Sequence, residues 1–193
     1  MQGPHVREEL GVDIPVIDGG PCEVGLESTV LGVTEDAKSA KLVLLRPGAI
    51  SAQEIEKTLR AAGIAVQWNQ TENRQQAPGQ MKHHYMPAVP LVYVRSRDLS
   101  LAVLREQIRK QFEHLPQEVE GVRMVRPGNM LNHLETLKLS STPALAAREF
   151  YASLRDLAAK KPDLILFYEE PVHRSEPWQA LLDRLTKAAS LVV

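Results

Sequence analysis

The spacing of apolar positions changes character along this chain and divides it into three stretches. Residues 5–10 have helix-forming composition and stop at Gly11. Ile14-Pro-Val-Ile17 is a short apolar run closed by Asp18-Gly19-Gly20-Pro21, the pattern of a strand entering a tight turn. A second strand is predicted over 25–33, with Glu27 and Thr29 on one face and Ser28 and Val30 on the other. A third is predicted over 41–46, where Pro47-Gly48 ends it. Ser51-Ala-Gln-Glu54 is a capping box, in which hydroxyl and carboxylate satisfy free backbone donors; Ile55, Leu59 and Ala62 then share a helical face up to Gly63. Residues 64–68 return as a strand.

Periodicity is lost over 69–90, which is rich in Asn, Gln, Thr, Gly and Pro. A patternless stretch of this length marks a function or a domain boundary. Its first part reads as free linker, and its second part, with Lys82, His83, His84 and Tyr85, as docked. Beyond Pro90 strands and helices alternate: a strand at 91–94, a helix at 98–113 with Leu101, Leu104, Ile108 and Phe112 on one stripe, and a strand at 122–125. A short strand at 137–139 precedes Thr142-Pro143, a cap followed by proline at the first position of a helix running to Lys160. Leu164-Ile-Leu-Phe-Tyr168 is apolar throughout, as a strand buried on both faces is. The last helix spans 177–188, with Trp178, Leu181, Leu182 and Leu185 inward. Such alternation predicts a small parallel sheet in a three-layer α/β domain.

Composition narrows the class. At 193 residues the chain is long enough for one ordinary domain or two small ones. It has no apolar run long enough to span a membrane and no basic-then-apolar leader at Met1, so a cytoplasmic, non-membrane protein is expected. A single cysteine, Cys22, excludes an internal disulfide framework. The formal charge of -1 argues against a chain whose main task is to grip a nucleic acid backbone.

Three blocks carry candidate chemistry. Asp18-Gly-Gly-Pro-Cys-Glu-Val-Gly-Leu-Glu-Ser-Thr-Val30 offers glycines whose amides can point at an anion, followed by hydroxyls on a strand. As a bare pattern it is more often an ordinary turn, and it is neither a P-loop nor a dinucleotide fingerprint. Leu45-Arg46-Pro47-Gly48 puts a guanidinium, whose planar fork matches phosphate or carboxylate oxygens, at a strand end. Ala77-Pro-Gly-Gln-Met-Lys-His-His-Tyr-Met-Pro87 supplies a cation, imidazoles and a phenol. Adjacent His83 and His84 point apart on an extended segment without acidic or thiol partners, so no metal site is expected. Cys22 reads as a small buried thiol, since no base accompanies it.

In this order and spacing the three blocks resemble the long, two-domain form of threonylcarbamoyl-AMP synthase, which initiates threonylcarbamoyladenosine modification of tRNA. Two helices add to the resemblance, Ala147-Arg-Glu-Phe-Tyr-Ala-Ser-Leu-Arg155 and Asp183-Arg-Leu-Thr-Lys-Ala-Ala189, where Asp183 stands for the family's usual Asn. It implies the remnant of a mixed-sheet catalytic domain over 1–68, a linker and active-site flap over 69–90, and a small three-layer, Rossmann-like parallel-sheet domain over 91–193. It makes Ser28, Thr29 and Arg46 substrate-binding residues and Lys82, His84 and Tyr85 flap residues, with no metal ligand and the catalytic residues unassigned. Threonine, bicarbonate and ATP with Mg are the substrates it implies, with no prosthetic group and with double-stranded RNA a weak further partner.

The family's ATP-gripping lysine and arginine residues and its Ser-Ala-Asn segment lie before the matched region. The resemblance therefore implies the C-terminal part of a nucleotidyltransferase, inactive alone and able to self-associate through an exposed sheet edge. The alternative is a non-catalytic module that binds a nucleotide or partner at the carboxyl ends of the parallel strands.

Overall fold

A computed structural model describes residues 6–7, 10–11, 13–36, 39–69, 85–95, 100–119, 122–123 and 131–193. Two sheets organise it. In the first, β1 (Val30–Asp36) and β2 (Ser39–Arg46) form an antiparallel hairpin, and β3 (Val66–Trp68) lies parallel to β2 on its other side. Helix α1 (Ala52–Ala61) makes the crossover, opened by the capping box: the Ser51 hydroxyl accepts from the Glu54 amide at 3.1 Å, and the Glu54 carboxylate accepts from the Ser51 amide at 3.2 Å. This half is thinly covered. Helix α1 has no buried residue, Leu42 is buried, and Val33 and Ile17 are exposed.

The second sheet is parallel, with four strands in the order β7 (Leu134–Thr136), β8 (Leu164–Tyr168), β4 (Leu91–Val94), β9 (Leu191–Val192). Because side chains alternate along a strand, its two central strands feed two separate cores. Leu91, Tyr93, Ile165 and Phe167 face α3 (Pro143–Ala159) and α4 (Gln179–Ala188), meeting Phe150, Leu154, Leu181 and Leu185. Val92, Val94, Leu164 and Leu166 face α2 (Leu101–His114), meeting Leu104, Ile108 and Phe112. The result is the three-layer arrangement read from the alternating pattern. No helix among the described residues is long and apolar enough to cross a membrane.

Local expectations fail where pairing is decided by distant residues. The strand expected at 14–17 does not form: no strand among the described residues pairs with it, and Ile17 is almost fully exposed. The strand expected from residue 25 starts at Val30, since Gly25 takes a positive φ of 78° and bends the chain before pairing begins. Val122–Arg123 (β6) pairs antiparallel with Glu118–Val119 (β5) in a separate hairpin and does not join the parallel sheet. The strand expected at 137–139 is displaced to Leu134–Thr136, with the Leu137 amide adding one more bond to Leu166 O at 2.8 Å. Thr142 makes no side-chain cap bond, although Pro143 does open α3. Leu101 leaves its predicted stripe and is half exposed.

These two burial classes give the first expected outcome. Phe150→Ala, at a fully buried position on α3, is expected to cost about 3–5 kcal/mol in urea unfolding. Leu101→Ala should change stability by less than about 0.5 kcal/mol, and a large loss there would contradict the burial of α2.

Candidate functional site

The segment before β1 is held on several sides. Asp18 Oδ1 accepts from the Gly20 amide at 3.0 Å, closing the turn that opens the segment, with Gly20 at φ 86°. At Gly25 a Cβ would stand 2.4 Å from Arg148 Cα and 2.7 Å from the Ala147 carbonyl oxygen, so only glycine allows the chain to lie this close to α3. At Gly48 a Cβ would stand 2.2 Å from the Thr29 amide nitrogen. The turn after β2 is thus pressed against the backbone of Ser28 and Thr29.

Arg46, the last residue of β2, reaches the same segment. Its Nε donates to the Ser28 carbonyl at 3.0 Å and its Nη2 to Ser28 Oγ at 3.2 Å. The Thr29 hydroxyl donates to the Ile50 carbonyl at 2.7 Å. The chemical consequence differs for the two hydroxyls. Ser28 Oγ accepts from a guanidinium and retains its own proton to donate, whereas Thr29 uses its proton to clip the segment to the turn. A hydroxyl donor beside a guanidinium suits the oxygens of a carboxylate or a phosphate.

Beside Ser28, Glu27 gathers groups from three distant parts of the chain. Its Oε1 accepts from the Tyr151 hydroxyl at 3.0 Å and its Oε2 from Arg184 Nε at 2.6 Å, and the Tyr85 hydroxyl also hydrogen-bonds it. The Arg184 side chain has no exposed surface; it also hydrogen-bonds Asp183, and its Nη2 donates to the Pro47 carbonyl at 3.2 Å. The Tyr85 and Tyr151 rings stand 5.6 Å apart. Burial by itself would raise the Glu27 pKa, but the Arg184 hydrogen bond and charge outweigh it and hold the carboxyl below its ordinary value. Burial, then the hydrogen bond to Glu27, pushes the Tyr85 phenol up to about 12. Tyr151 is pushed up by burial first and by the Glu27 charge. Both phenols therefore stay protonated and donate.

Of the residues singled out in the sequence, Ser28, Thr29, Arg46 and Tyr85 come together, with Tyr85 close enough to feel the charge of Arg46. Lys82 and His84 lie outside the described residues. Cys22 is exposed, not the buried thiol expected, and it lies in a stretch, residues 17–24, that is exposed throughout. Among the described residues no group of three His, Cys, Asp or Glu side chains is placed to hold a metal. Sequence reasoning missed Glu27, Tyr151 and Arg184 as a unit. One signal was available: Arg184 falls three residues after Leu181 and four before Ala188, on the buried stripe of α4, where an arginine requires a buried acid.

A family model described as "Threonylcarbamoyl-AMP synthase, C-terminal domain" matches residues 50–190. Curated proteins named threonylcarbamoyl-AMP synthase are similar over nearly the whole chain. That of Pyrococcus abyssi is 30% identical over 96% of this chain and 52% of its own length. The Bacillus subtilis protein is 28% identical over 96% and 51%. The Schizosaccharomyces pombe protein is 31% identical over 97% and 48%. The chain thus spans about half the length of the curated relatives it matches. Among solved structures, P. abyssi Sua5 complexed with L-threonine superposes with a TM-score of 0.63 at 26% identity, covering 99% of this chain and 54% of that one. A doubly substituted P. abyssi Sua5, at TM-score 0.58 and 24% identity, shares the fold.

The Glu27 cluster sets a stability test. Glu27→Gln removes one of the two carboxylates paired with the buried Arg184 guanidinium and is expected to cost about 3 kcal/mol in urea unfolding. Because the folded pKa of Glu27 lies below its unfolded value near 4.5, its contribution is fully present above that pH and is lost as pH falls through the folded pKa. Stability measured from pH 6 down to pH 3 should therefore fall less steeply for Glu27→Gln than for the native chain. Parallel slopes would remove Glu27 from the acid response.

Proposed function

The chain belongs to the threonylcarbamoyl-AMP synthase family, and we propose that its Ser28–Arg46 wall binds substrate for L-threonylcarbamoyladenylate synthesis. That reaction joins threonine, bicarbonate and ATP, releases pyrophosphate and supplies threonylcarbamoyl-AMP for tRNA modification. The observation that carries the reading is the grip of Arg46 on the Ser28 carbonyl and hydroxyl, which prepositions a hydroxyl donor and a cation on one wall. Prepositioned donors of this kind need no reorganisation when a carboxylate or phosphate arrives.

In this proposal Ser28 and Arg46 meet the oxygens of threonine or the nucleotide, and Thr29 holds the wall in shape through Ile50. Tyr85 anchors the end of the 69–90 segment on Glu27, while Lys82 and His84 act from that segment as a flap over the bound substrates. Such covering excludes water from a reactive carbamate intermediate. Residues 1–68 serve as the substrate-binding half, and residues 91–193 as the α/β half that carries Tyr151 and Arg184. Mg arrives with ATP as part of the substrate, and the chemistry calls for no prosthetic group.

The test is binding. Titration of L-threonine and of MgATP, followed by amide NMR of the full chain, should shift the resonances of residues 25–30 and 44–48. Arg46→Gln should weaken binding at least about tenfold, the loss expected when a charged hydrogen-bonding group is removed. Shifts confined to residues 91–193 would overturn the assignment.

The same chain is proposed to self-associate. Val33 is exposed on β1, the terminal strand of the three-stranded sheet among the described residues, and an unpaired strand edge templates pairing with another chain. Sedimentation velocity should show a concentration-dependent dimer. A monomer that persists at millimolar concentration would remove this part of the proposal.

A further inference from the structure

The parallel sheet contains a second place where topology opens a binding crevice. Strands β4 and β8 are neighbours, yet the helices that follow them lie on opposite faces: α2 packs on the face of Val92 and Leu164, and α4 on the face of Tyr93 and Phe167. When adjacent parallel strands send their chains to opposite sides, a crevice opens at their carboxyl ends, and ligands of open α/β sheets bind there. In this protein the crevice is a cavity of about 570 Å³, within the range of about 300–1,000 Å³ usual for small-molecule sites. Its floor is built from Tyr93 and Arg95 at the end of β4 and from Glu169 and Arg174 after β8.

The polar groups are fixed before any ligand arrives. The Glu169 side chain is only 9% exposed and accepts from the Tyr93 hydroxyl and from Arg174 Nε, the latter at 2.6 Å. The Arg95 guanidinium lies 5.9 Å from the centroid of the Tyr93 ring. Asp183 also lines the cavity, but Arg184 and Lys187 engage it, so it does not offset the arginines on the floor. Two guanidinium groups thus face one buried carboxylate, leaving positive charge at the mouth. The Arg174 side chain is 67% exposed, well placed to reach outward.

We infer that this crevice binds a phosphorylated small molecule of nucleotide size, with the phosphate between Arg95 and Arg174 and the remainder in the cavity bounded by Gln179 and Leu182. It is separate from the Ser28–Arg46 wall. Arg46 does not line it, although Leu44 of the same strand and Pro47 just after it do. The inference stands whether or not the proposed synthase site is correct.

Calorimetric titration of the full chain with AMP, ribose 5-phosphate and inorganic phosphate tests it. AMP is expected to bind, and the Arg95→Gln, Arg174→Gln double variant to bind at least about tenfold more weakly, as loss of charge-assisted hydrogen bonds implies. Arg46→Gln should leave AMP affinity at this site unchanged. The single variant Arg95→Gln breaks no ion pair among the described residues and should still weaken binding severalfold, which separates loss of contact from loss of fold. Ribose 5-phosphate binding nearly as well as AMP would also support a phosphorylated ligand held mainly through its phosphate. Absence of AMP binding at millimolar concentration would overturn the inference. So would AMP affinity lost in Arg46→Gln but kept in the double variant, or inorganic phosphate binding as tightly as AMP.

Discussion

The ion pair between Glu27 and Arg184 sets the relation between the two halves of this chain. The partners are 157 positions apart in sequence, and Arg184 is fully buried. A guanidinium out of water is tolerated only when its donors are paired, and here they go to Glu27, Asp183 and the Pro47 carbonyl. Two of those acceptors belong to the thin sheet half. Parting helix α4 from the segment around Glu27 and the turn at Pro47 would therefore leave two of the buried donors unpaired. A half whose own helix buries nothing is thus held by a core it does not contain.

The same pair brings order to the Ser28–Arg46 wall. Glu27 is adjacent to Ser28, and Pro47 is adjacent to Arg46, so Arg184 touches the neighbours of both members of the wall. Gly25 and Gly48 complete the arrangement from the backbone side, each lying where a side chain would collide with α3 or with Thr29. The hydroxyl and the cation proposed to meet substrate are thereby positioned by residues that need not contact it.

What was legible in the sequence follows the range of the interaction. The strands at 91–94 and 164–168 were read with their observed bounds because continuous apolar runs between turn signals encode burial on both faces locally. The capping box at Ser51 was read because its partners are three residues apart. The strand at 14–17 was misread, the partner of the strand at 122–123 misplaced and the strand at 191–192 missed, because short apolar runs do not say which strand, if any, will accept their backbone groups. At the candidate site, Ser28, Thr29, Arg46 and Tyr85 were named from motifs and do converge. The residues that hold them, Glu27, Tyr151 and Arg184, sit in stretches that look like ordinary strand and helix. Only the misplaced charge on the apolar stripe of α4 betrayed one of them.

Strand β2 and the turn after it serve both places where small molecules are proposed to bind. Arg46 turns toward Ser28, while Leu44 and, just past the strand, Pro47 line the crevice with Tyr93 and Glu169. From the crevice, Asp183 bonds Arg184, and Arg184 bonds Glu27, so two hydrogen bonds separate the crevice lining from the residue preceding Ser28. Contiguity of this kind provides a route without fixing its strength. A ligand in the crevice shifts the wall only to the extent that it prefers one arrangement of α4 over another, and the wall's ligand must then shift the crevice by the same factor. The buried state of Arg184 limits the arrangements available, since any movement of α4 that parted it from Glu27 would leave Nε of a buried guanidinium without its acceptor. Small rotations that keep both bonds are the motions through which the two sites can sense each other.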